Sequence, residues 1–487
     1  MVGKITDSGV LFQGWPFFGF KRLIPFELIE RIEWLENGSR NSFAIHRAGQ
    51  RPFLVRGLAP DSARELFSTL QELLNPPLAQ SNQALPAQEI ERIIAALCDQ
   101  RAARPSIVLG FLLDQAILHQ ATDIHFEYLH SHYWVRFRID GILHDLATIP
   151  DPIRARLIAY IKNSAGLASY RREVPQEGRL TYPGAGAKPL ELRLSIVPAH
   201  GEESVVLRLF DVLRGTLDLD HLGFSPRVRR DYGRLLDQPR GLILLSGPSS
   251  SGKTTTIYAS LQYLMKGLRS GERAVSLEEP IEFPLGCVSQ IEVAPHQGLT
   301  FDRLLSTVLR QDAEVIAVGE IRDAATAAVA LRAALTGHLI LSTVHCGNAV
   351  EVPRRLVDLG LEPAAVAEAL AGVIAQRLVR VICPHCRRAR PVSQEERELM
   401  RVPASIQTAS LGQGCSHCLN TGYRGRTVIA EVLRVTDEAA ELIRENAPGA
   451  RISEAAQRGG LPDLRQDAWS KVLEGVTSLE EIWRVLR

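Results

Sequence analysis

Gly247-Pro248-Ser249-Ser250-Ser251-Gly252-Lys253-Thr254, followed by Thr255, reads G-x4-G-K-[ST]. Glycines at its ends let backbone N–H groups turn inward around a polyphosphate, and the N-terminus of the following helix adds its dipole. Lys253 is spaced to reach the β- and γ-phosphates, and the Thr254 hydroxyl to hold Mg²⁺. The pattern requires a strand before it and a helix after it; apolar residues 242–246 and helix-forming residues 254–264 supply both. An inert Gly/Ser-rich turn, the plainer alternative, would need neither flank. Such a loop also needs a carboxylate at the end of another strand. Val315-Ile316-Ala317-Val318-Gly319-Glu320 ends in one acid, and Ser276-Leu277-Glu278-Glu279-Pro280 ends in two. Glu320 at its strand tip can serve as a general base near the γ-phosphate, whereas any of these strand-end acids alone would pass for a solvated strand end.

A second chemistry lies in the cysteines. Of seven, Cys98, Cys287 and Cys346 are scattered, while Cys383-Pro384-His385-Cys386 and Cys415-Ser416-His417-Cys418 form two C-x-x-C knuckles 28 residues apart. Two knuckles complete a closed tetrahedral thiolate shell for Zn²⁺, which leaves no water position and makes the site structural. A redox dithiol is the alternative reading of either pair alone. His385 and His417 sit between better ligands.

Those residues need elements to position them. The chain has 487 residues, 45% hydrophobic and 23% charged, enough for three or four domains at roughly 100–200 residues each. Lys plus Arg is 56 against 55 acids, a net charge of +1, so no nucleic-acid partner is expected. With no apolar run of membrane-spanning length and no signal-like N-terminus, a cytoplasmic protein is expected. Residues 1–78 alternate apolar and polar positions in short runs, with a helix from Asp61, and read as a small β-rich, pleckstrin-homology-like domain. A linker with a short helix follows at 79–104. Helical then strand-like periodicity makes 105–212 an α+β domain. Apolar strands at 242–246, 274–277, 315–318 and 339–342, separated by helices, indicate a parallel sheet covered on both faces within 213–382. The metal module is assigned to 383–425 and a helical region to 426–487.

In order, the motifs resemble the secretion ATPases of type II secretion and type IV pilus assembly over residues 105–435. Besides the phosphate loop they are Ala121-Thr122-Asp123-Ile124-His125-Phe126-Glu127, Val135-Arg136-Phe137-Arg138-Ile139-Asp140-Gly141 and Pro175-Gln176-Glu177-Gly178-Arg179. The series continues with Glu278-Glu279-Pro280-Ile281-Glu282, Val318-Gly319-Glu320-Ile321-Arg322-Asp323 and Thr336-Gly337-His338-Leu339-Ile340-Leu341-Ser342-Thr343-Val344-His345. The resemblance implies an α/β, RecA-like P-loop ATPase domain behind an α+β, PAS-like one. It also implies a homo-hexamer that hydrolyses ATP with Mg²⁺, peripheral on the inner membrane through a platform protein. Glu278 and Glu320 would then share the polarising of water and the holding of hydrated Mg²⁺, in an order left open. His338 and His345 would form a γ-phosphate-sensing histidine box, and Arg179 and Arg193 would reach across to the nucleotide. The bland alternatives are strand-end histidines satisfied by backbone groups and, for Arg193, a solvated strand face. The family's assembly and secretion branch carries the tetracysteine insertion, which its retraction branch typically lacks, so the resemblance points to assembly or export.

Several positions depart from the family pattern. Ser250 stands where Gly is usual, Glu279 for Asp, Ala313-Glu314 for Pro-Asp, and Cys346-Gly347-Asn348 for Thr-Asn-Asp. If position 250 needs φ > 0, serine costs about 1 kcal/mol there. Lys253, Thr254, Glu278 and Glu320 all remain, so slow hydrolysis is expected; a ring scaffold that binds nucleotide with little turnover is the alternative. The first 78 residues do not follow the family's usual docking domain. Their cluster of Trp15, Phe17, Phe18 and Phe20 reads as a barrel core or as a surface for a docking protein or membrane.

Overall fold

The computed structural model describes the strands within residues 2–55, Arg64 and Phe67, and residues 83–99, 104–182, 189–209, 218–267, 269–458 and 463–487. The aromatic cluster at residues 15–20 lies outside the described residues, as do most of the helix expected from Asp61 and most of the linker. Contacts divide the chain into two units, Met1–Val212 and Leu213–Arg487.

The first unit opens with two three-stranded antiparallel meanders. One comprises β1 (Val2–Thr6), β2 (Gly9–Gln13) and β3 (Lys21–Pro25); the other β4 (Ile29–Leu35), β5 (Ser42–Arg47) and β6 (Gln50–Val55). Next come α1 (Ala87–Asp99), α2 (Pro105–Leu118), β7 (Asp123–Leu129), β8 (His132–Ile139), β9 (Ile142–Ile149), α3 (Asp151–Ser164), β10 (Gln176–Tyr182), β11 (Leu190–Ala199) and β12 (Glu202–Leu209). The six strands form one antiparallel sheet, ordered β10-β11-β12-β7-β8-β9. Strand alternation sends Ile124, Phe126, Val135, Phe137, Leu192, Leu194, Val205 and Leu207 into the core and leaves the other face polar.

The segment expected to be a linker differs from expectation. Ile90, Ile93, Ile94 and Leu97 of α1 recur at i, i+3, i+4 and i+7, and all are buried in the same core as the sheet. Burying each contributes about 1.5–3 kcal/mol. Gln83 to Pro86, which precede the helix, are held too: buried Gln115 of α2 accepts from the Leu85 N–H (2.9 Å).

The second unit runs α4 (Pro226–Leu236), β13 (Gly241–Ser246), α5 (Lys253–Lys266), β14 (Ala274–Glu278), β15 (Ser289–Glu292), α6 (Phe301–Val308), β16 (Val315–Val318), α7 (Ala324–Leu335), β17 (Leu339–Val344), α8 (Glu351–Asp358), α9 (Pro363–Ala369) and β18 (Leu370–Ile382). The metal module follows with β19 (Arg387–Pro391), α10 (Gln394–Met400) and β20 (Thr408–Gly412). The chain closes with β21 (Tyr423–Arg434), α11 (Asp437–Arg444), α12 (Gly449–Arg458), α13 (Leu464–Leu473) and α14 (Leu479–Leu486). Seven strands form one sheet, ordered β15-β14-β16-β17-β13-β18-β21, parallel except for the last pair. Cores lie on both of its faces. The four expected strands are its centre, but the expected boundary at 425/426 cuts β21, which is a sheet strand and not part of a helical region. Residues 383–422 are thus inserted into a β18–β21 hairpin.

If α1 is core and not tether, Ile94→Ala should destabilise the first unit by about 2–5 kcal/mol. A chemical melt of the full chain, followed by hydrogen exchange in residues 104–209, measures it; an unchanged transition would return the segment to a linker.

Candidate functional site: the phosphate loop and its acids

Parallel strands aim their C-terminal ends the same way, and ligands sit there. From Ser246 the chain leaves β13 through Gly247, Pro248, Ser249, Ser250, Ser251 and Gly252 into α5, whose first turn is Lys253, Thr254 and Thr255. Two conformational demands are visible. A Cβ on Gly247 would lie 2.6 Å from both the Gln376 carbonyl and Ser251 Oγ, so only glycine fits. Ser250 has φ +61°, the left-handed region glycine occupies at no steric cost. The Ser251 hydroxyl is buried with no hydrogen-bond partner.

Lys253 Nζ donates to the carbonyls of Gly247 (2.7 Å) and Pro248 (3.0 Å). Burial pushes its pKa down to about 8, opposed by the charge of Glu320. Glu320 follows β16 and is engaged on both oxygens: Arg322 Nε lies 2.8 Å from Oε2 and His345 Nε2 3.1 Å from Oε1. Glu278, the last residue of β14, is buried. Its Oε1 accepts from Ser276 Oγ (2.5 Å) and Gln290 Nε2 (3.0 Å), and its Oε2 from the Tyr258 hydroxyl of α5. Three donors fix that carboxylate in orientation. Thr254 is exposed on the first turn of α5. Its hydroxyl and the Glu320 carboxylate are the hard oxygen donors that suit Mg²⁺.

The two histidines part company. His345 follows β17 at the phosphate end. His338 precedes β17, where its carbonyl accepts from the N–H of Gly241 at the start of β13 (3.0 Å), and its ring lies against the Ala333 carbonyl (3.0 Å). Six strand residues separate the pair, a rise of seven steps or about 23 Å at 3.3 Å per residue. The structure therefore does not bring the two histidines together: His338 is at the opposite end of β17 from His345, with its ring against a backbone carbonyl. Arg179 of β10 and Arg193 of β11 are register partners on the polar face of the first unit, with Arg208 next in the row. Arg193 pairs with Glu177 (3.0 Å).

Sequence reasoning missed Tyr258, Gln290 and Gln376. Gln376 of β18 is buried; its Nε2 donates to the Ser251 carbonyl (2.8 Å) and its Oε1 accepts from Thr256 (3.0 Å), so it supports the phosphate loop from behind. A lone amide inside the apolar run Val373-Ile374-Ala375-Gln376 was the available signal.

The four paired cysteines come together. Sγ separations are 3.8 Å for Cys383–Cys415 and Cys386–Cys418 and 3.7 Å for Cys415–Cys418. A tetrahedron with metal–sulfur bonds of about 2.3 Å has edges of about 3.8 Å, so the cluster fits Zn²⁺, and it is far from the ~2 Å of a disulfide. Backbone N–H groups of Cys415 (3.2 Å) and Gly422 (3.3 Å) donate to Cys418 Sγ, which favours its charged, metal-binding form. Without a metal, burial pushes the Cys386 thiol up to about 12, whereas at Cys418 burial is outweighed by the backbone N–H donors, which bring the thiol below its ordinary value.

Two outcomes follow. Ser250→Gly should stabilise the second unit by about 1 kcal/mol by relieving the positive φ; thermal melting checks it, and a loss of stability would place the strain elsewhere. The purified chain should carry one Zn²⁺. Strong chelation or Cys415→Ser should release it and raise hydrogen exchange across residues 383–422, and a chain of full stability without metal would contradict the site.

A profile of the type II/IV secretion system protein family matches residues 101–484. The chain is 40% identical over 393 residues to type II secretion system protein E of Pseudomonas aeruginosa, covering 80% of this chain and 77% of that protein. It is 38% identical to the type IV pilus assembly ATPase PilB of Thermus thermophilus, covering 76% of this chain and 42% of that one. Among solved structures, the pilus retraction motor PilT with bound ADP matches at TM-score 0.53 and 24% identity, over 77% of this chain and 95% of its own. The Legionella pneumophila ATPase DotB matches at 0.56 and 17%, over 78% and 95%. These two share the fold, and the sequence matches carry the assignment: the chain belongs to the type II/IV secretion system protein family.

Proposed function

We propose that the chain is an ATPase whose turnover drives pseudopilus or pilus assembly, or type II-like protein export. The relatives named for type II secretion and for pilus assembly support the process. The observation that carries the chemistry is the meeting of Lys253, Glu320 and His345 at one end of the parallel sheet. Lys253 would exchange its loop carbonyls for phosphate oxygens. Glu320, the acid that faces Lys253, and Thr254 would hold Mg²⁺, which when bound neutralises phosphate charge. Glu278, fixed by three donors, would polarise the attacking water. His345, paired with Glu320, would register the γ-phosphate, and Arg179 and Arg193 would complete the site. Homo-hexameric assembly at the cytoplasmic side of the inner membrane, through a platform protein, belongs to the same proposal. So does docking to a further protein or membrane surface by the N-terminal strands. No helix among the described residues is long and apolar enough to cross a membrane, which is consistent with attachment through partners.

Steady-state ATP hydrolysis, recorded with mass by light scattering, tests this. Lys253→Ala, Glu278→Gln and Glu320→Gln should each cost about 100-fold or more in kcat. Nucleotide binding in a ring without turnover would establish the scaffold alternative.

The pH dependence has a definite sign. Free Lys253 loses its ammonium as pH rises through about 8, mainly because it is buried, whereas phosphate favours the charged form. ATP affinity should be level below that pH and fall above it, by up to tenfold per pH unit. A flat affinity through that range would remove Lys253 from the phosphate contact.

A further inference from the structure

Past His345 the chain runs through Cys346, Gly347, Asn348 and Ala349, and different parts of the core hold its peptide groups. The Cys346 carbonyl accepts from Ser246 Oγ at the end of β13 (3.1 Å). Gly347 donates its N–H to Glu351 (2.9 Å), and its carbonyl accepts from Arg377 of β18 (2.5 Å). The Ala349 N–H donates to Oε1 of Glu431 on β21 (2.6 Å). The other oxygen of that carboxylate accepts from the N–H of Leu464, the first residue of α13 (2.9 Å).

One partly buried side chain therefore joins the segment behind His345 to the N-terminus of a C-terminal helix. The following turn and α14 grip the base of the metal module. Ile382 donates its N–H to the Val476 carbonyl (2.9 Å), Arg380 pairs with buried Glu481 (2.7 Å), and Arg390 reaches Glu480 (2.7 Å). A carboxylate suits this junction because it has two acceptor oxygens. Glutamine at 431 would turn an N–H toward one of the two backbone N–H groups, leaving a donor facing a donor.

We propose that Glu431 is a positioning residue that couples the His345 segment to α13, so that nucleotide at the phosphate end is felt by the C-terminal helices. This rests on the nucleotide reading of the site, though not on turnover. A plain staple would change stability alike with and without nucleotide. A coupling residue changes the response to nucleotide itself.

Hydrogen exchange of residues 463–473 in the full chain, with and without Mg-ATP, separates the two. In the wild type, Mg-ATP should slow exchange there by roughly tenfold. Glu431→Gln should still bind ATP yet lose most of that protection, with kcat falling several-fold at unchanged KM. Leu464→Pro severs only the helix side of the bridge, because proline lacks the N–H and is tolerated at a first helical position. It should act like Glu431→Gln, while Leu464→Ala, which keeps the N–H, should respond as the wild type does. Equal protection in the wild type and both bridge variants would overturn the coupling. So would a loss shared by Leu464→Ala, or no response in the wild type. A wild type that binds ATP without hydrolysing it would sink the ATPase reading, while exchange still decides the coupling.

Discussion

A phosphate loop is a concave turn whose N–H groups converge on an anion, and before the anion arrives something else must hold that shape. Here the support is one buried amide. Gln376 bonds the Ser251 carbonyl on one side and the Thr256 hydroxyl on the other, and its own carbonyl packs so close to Gly247 that no Cβ fits between them. The loop's curvature is thus set from behind by β18, which must lie beside β13 in one register. Much of the second unit can be understood as what keeps β18 there.

Without nucleotide the site balances its own charges. Lys253 is held by loop carbonyls, and Glu320 is shared by Arg322 and His345. Each of these contacts uses atoms that a phosphate or its metal would claim. Binding is therefore an exchange of partners and not the filling of a bare cavity, and the net gain is smaller than the number of new contacts suggests. Burial opposes the Lys253 charge in the free state, which sharpens the preference for an anionic ligand. Glu278 behaves differently, because its donors Ser276, Gln290 and Tyr258 are all neutral and belong to the scaffold. It is poised before any ligand arrives.

What could be read from the chain, and what could not, follows physical lines. The loop, its flanking strand and the acids at strand ends were legible because a strand buried on both faces is an uninterrupted apolar run. The cysteine cluster was legible from spacing alone. By contrast, β18 carries Gln376, Arg377 and Arg380 within thirteen residues, so it matches neither a buried run nor a clean alternation. Its partner β21 was missed for a similar reason, with half-buried Glu431 between buried Ala430 and Val432. A short helix within residues 79–104 was legible, but its place in the core was not, since an apolar stripe does not say what covers it. His338 shows the opposite failure. A motif grouped it with His345, although the length of the strand between them already set them at opposite ends of that strand.

The metal module can then be given a physical purpose that does not require chemistry at the metal. A closed tetrathiolate offers no open coordination position, yet it sits directly beyond Ile382, the last residue of β18, and closes the hairpin to β21. Along that strand Gln376 and Cys383 are about 23 Å apart at 3.3 Å per residue. The far end of β18 is gripped on several sides: by the cysteine cluster, by the Ile382 N–H to Val476, and by Arg380 to Glu481. Hydrogen bonds along a strand resist a register slip only weakly, because each is replaced by an equivalent one. A one-residue slip would present Arg377 in place of Gln376 behind the phosphate loop, setting a cation where an amide must both donate and accept. Helices α13 and α14 anchor the distant end against that alternative, and a metal held by the four cysteines would add to the anchoring, so that a structural ion outside the nucleotide site would help to hold the loop's shape.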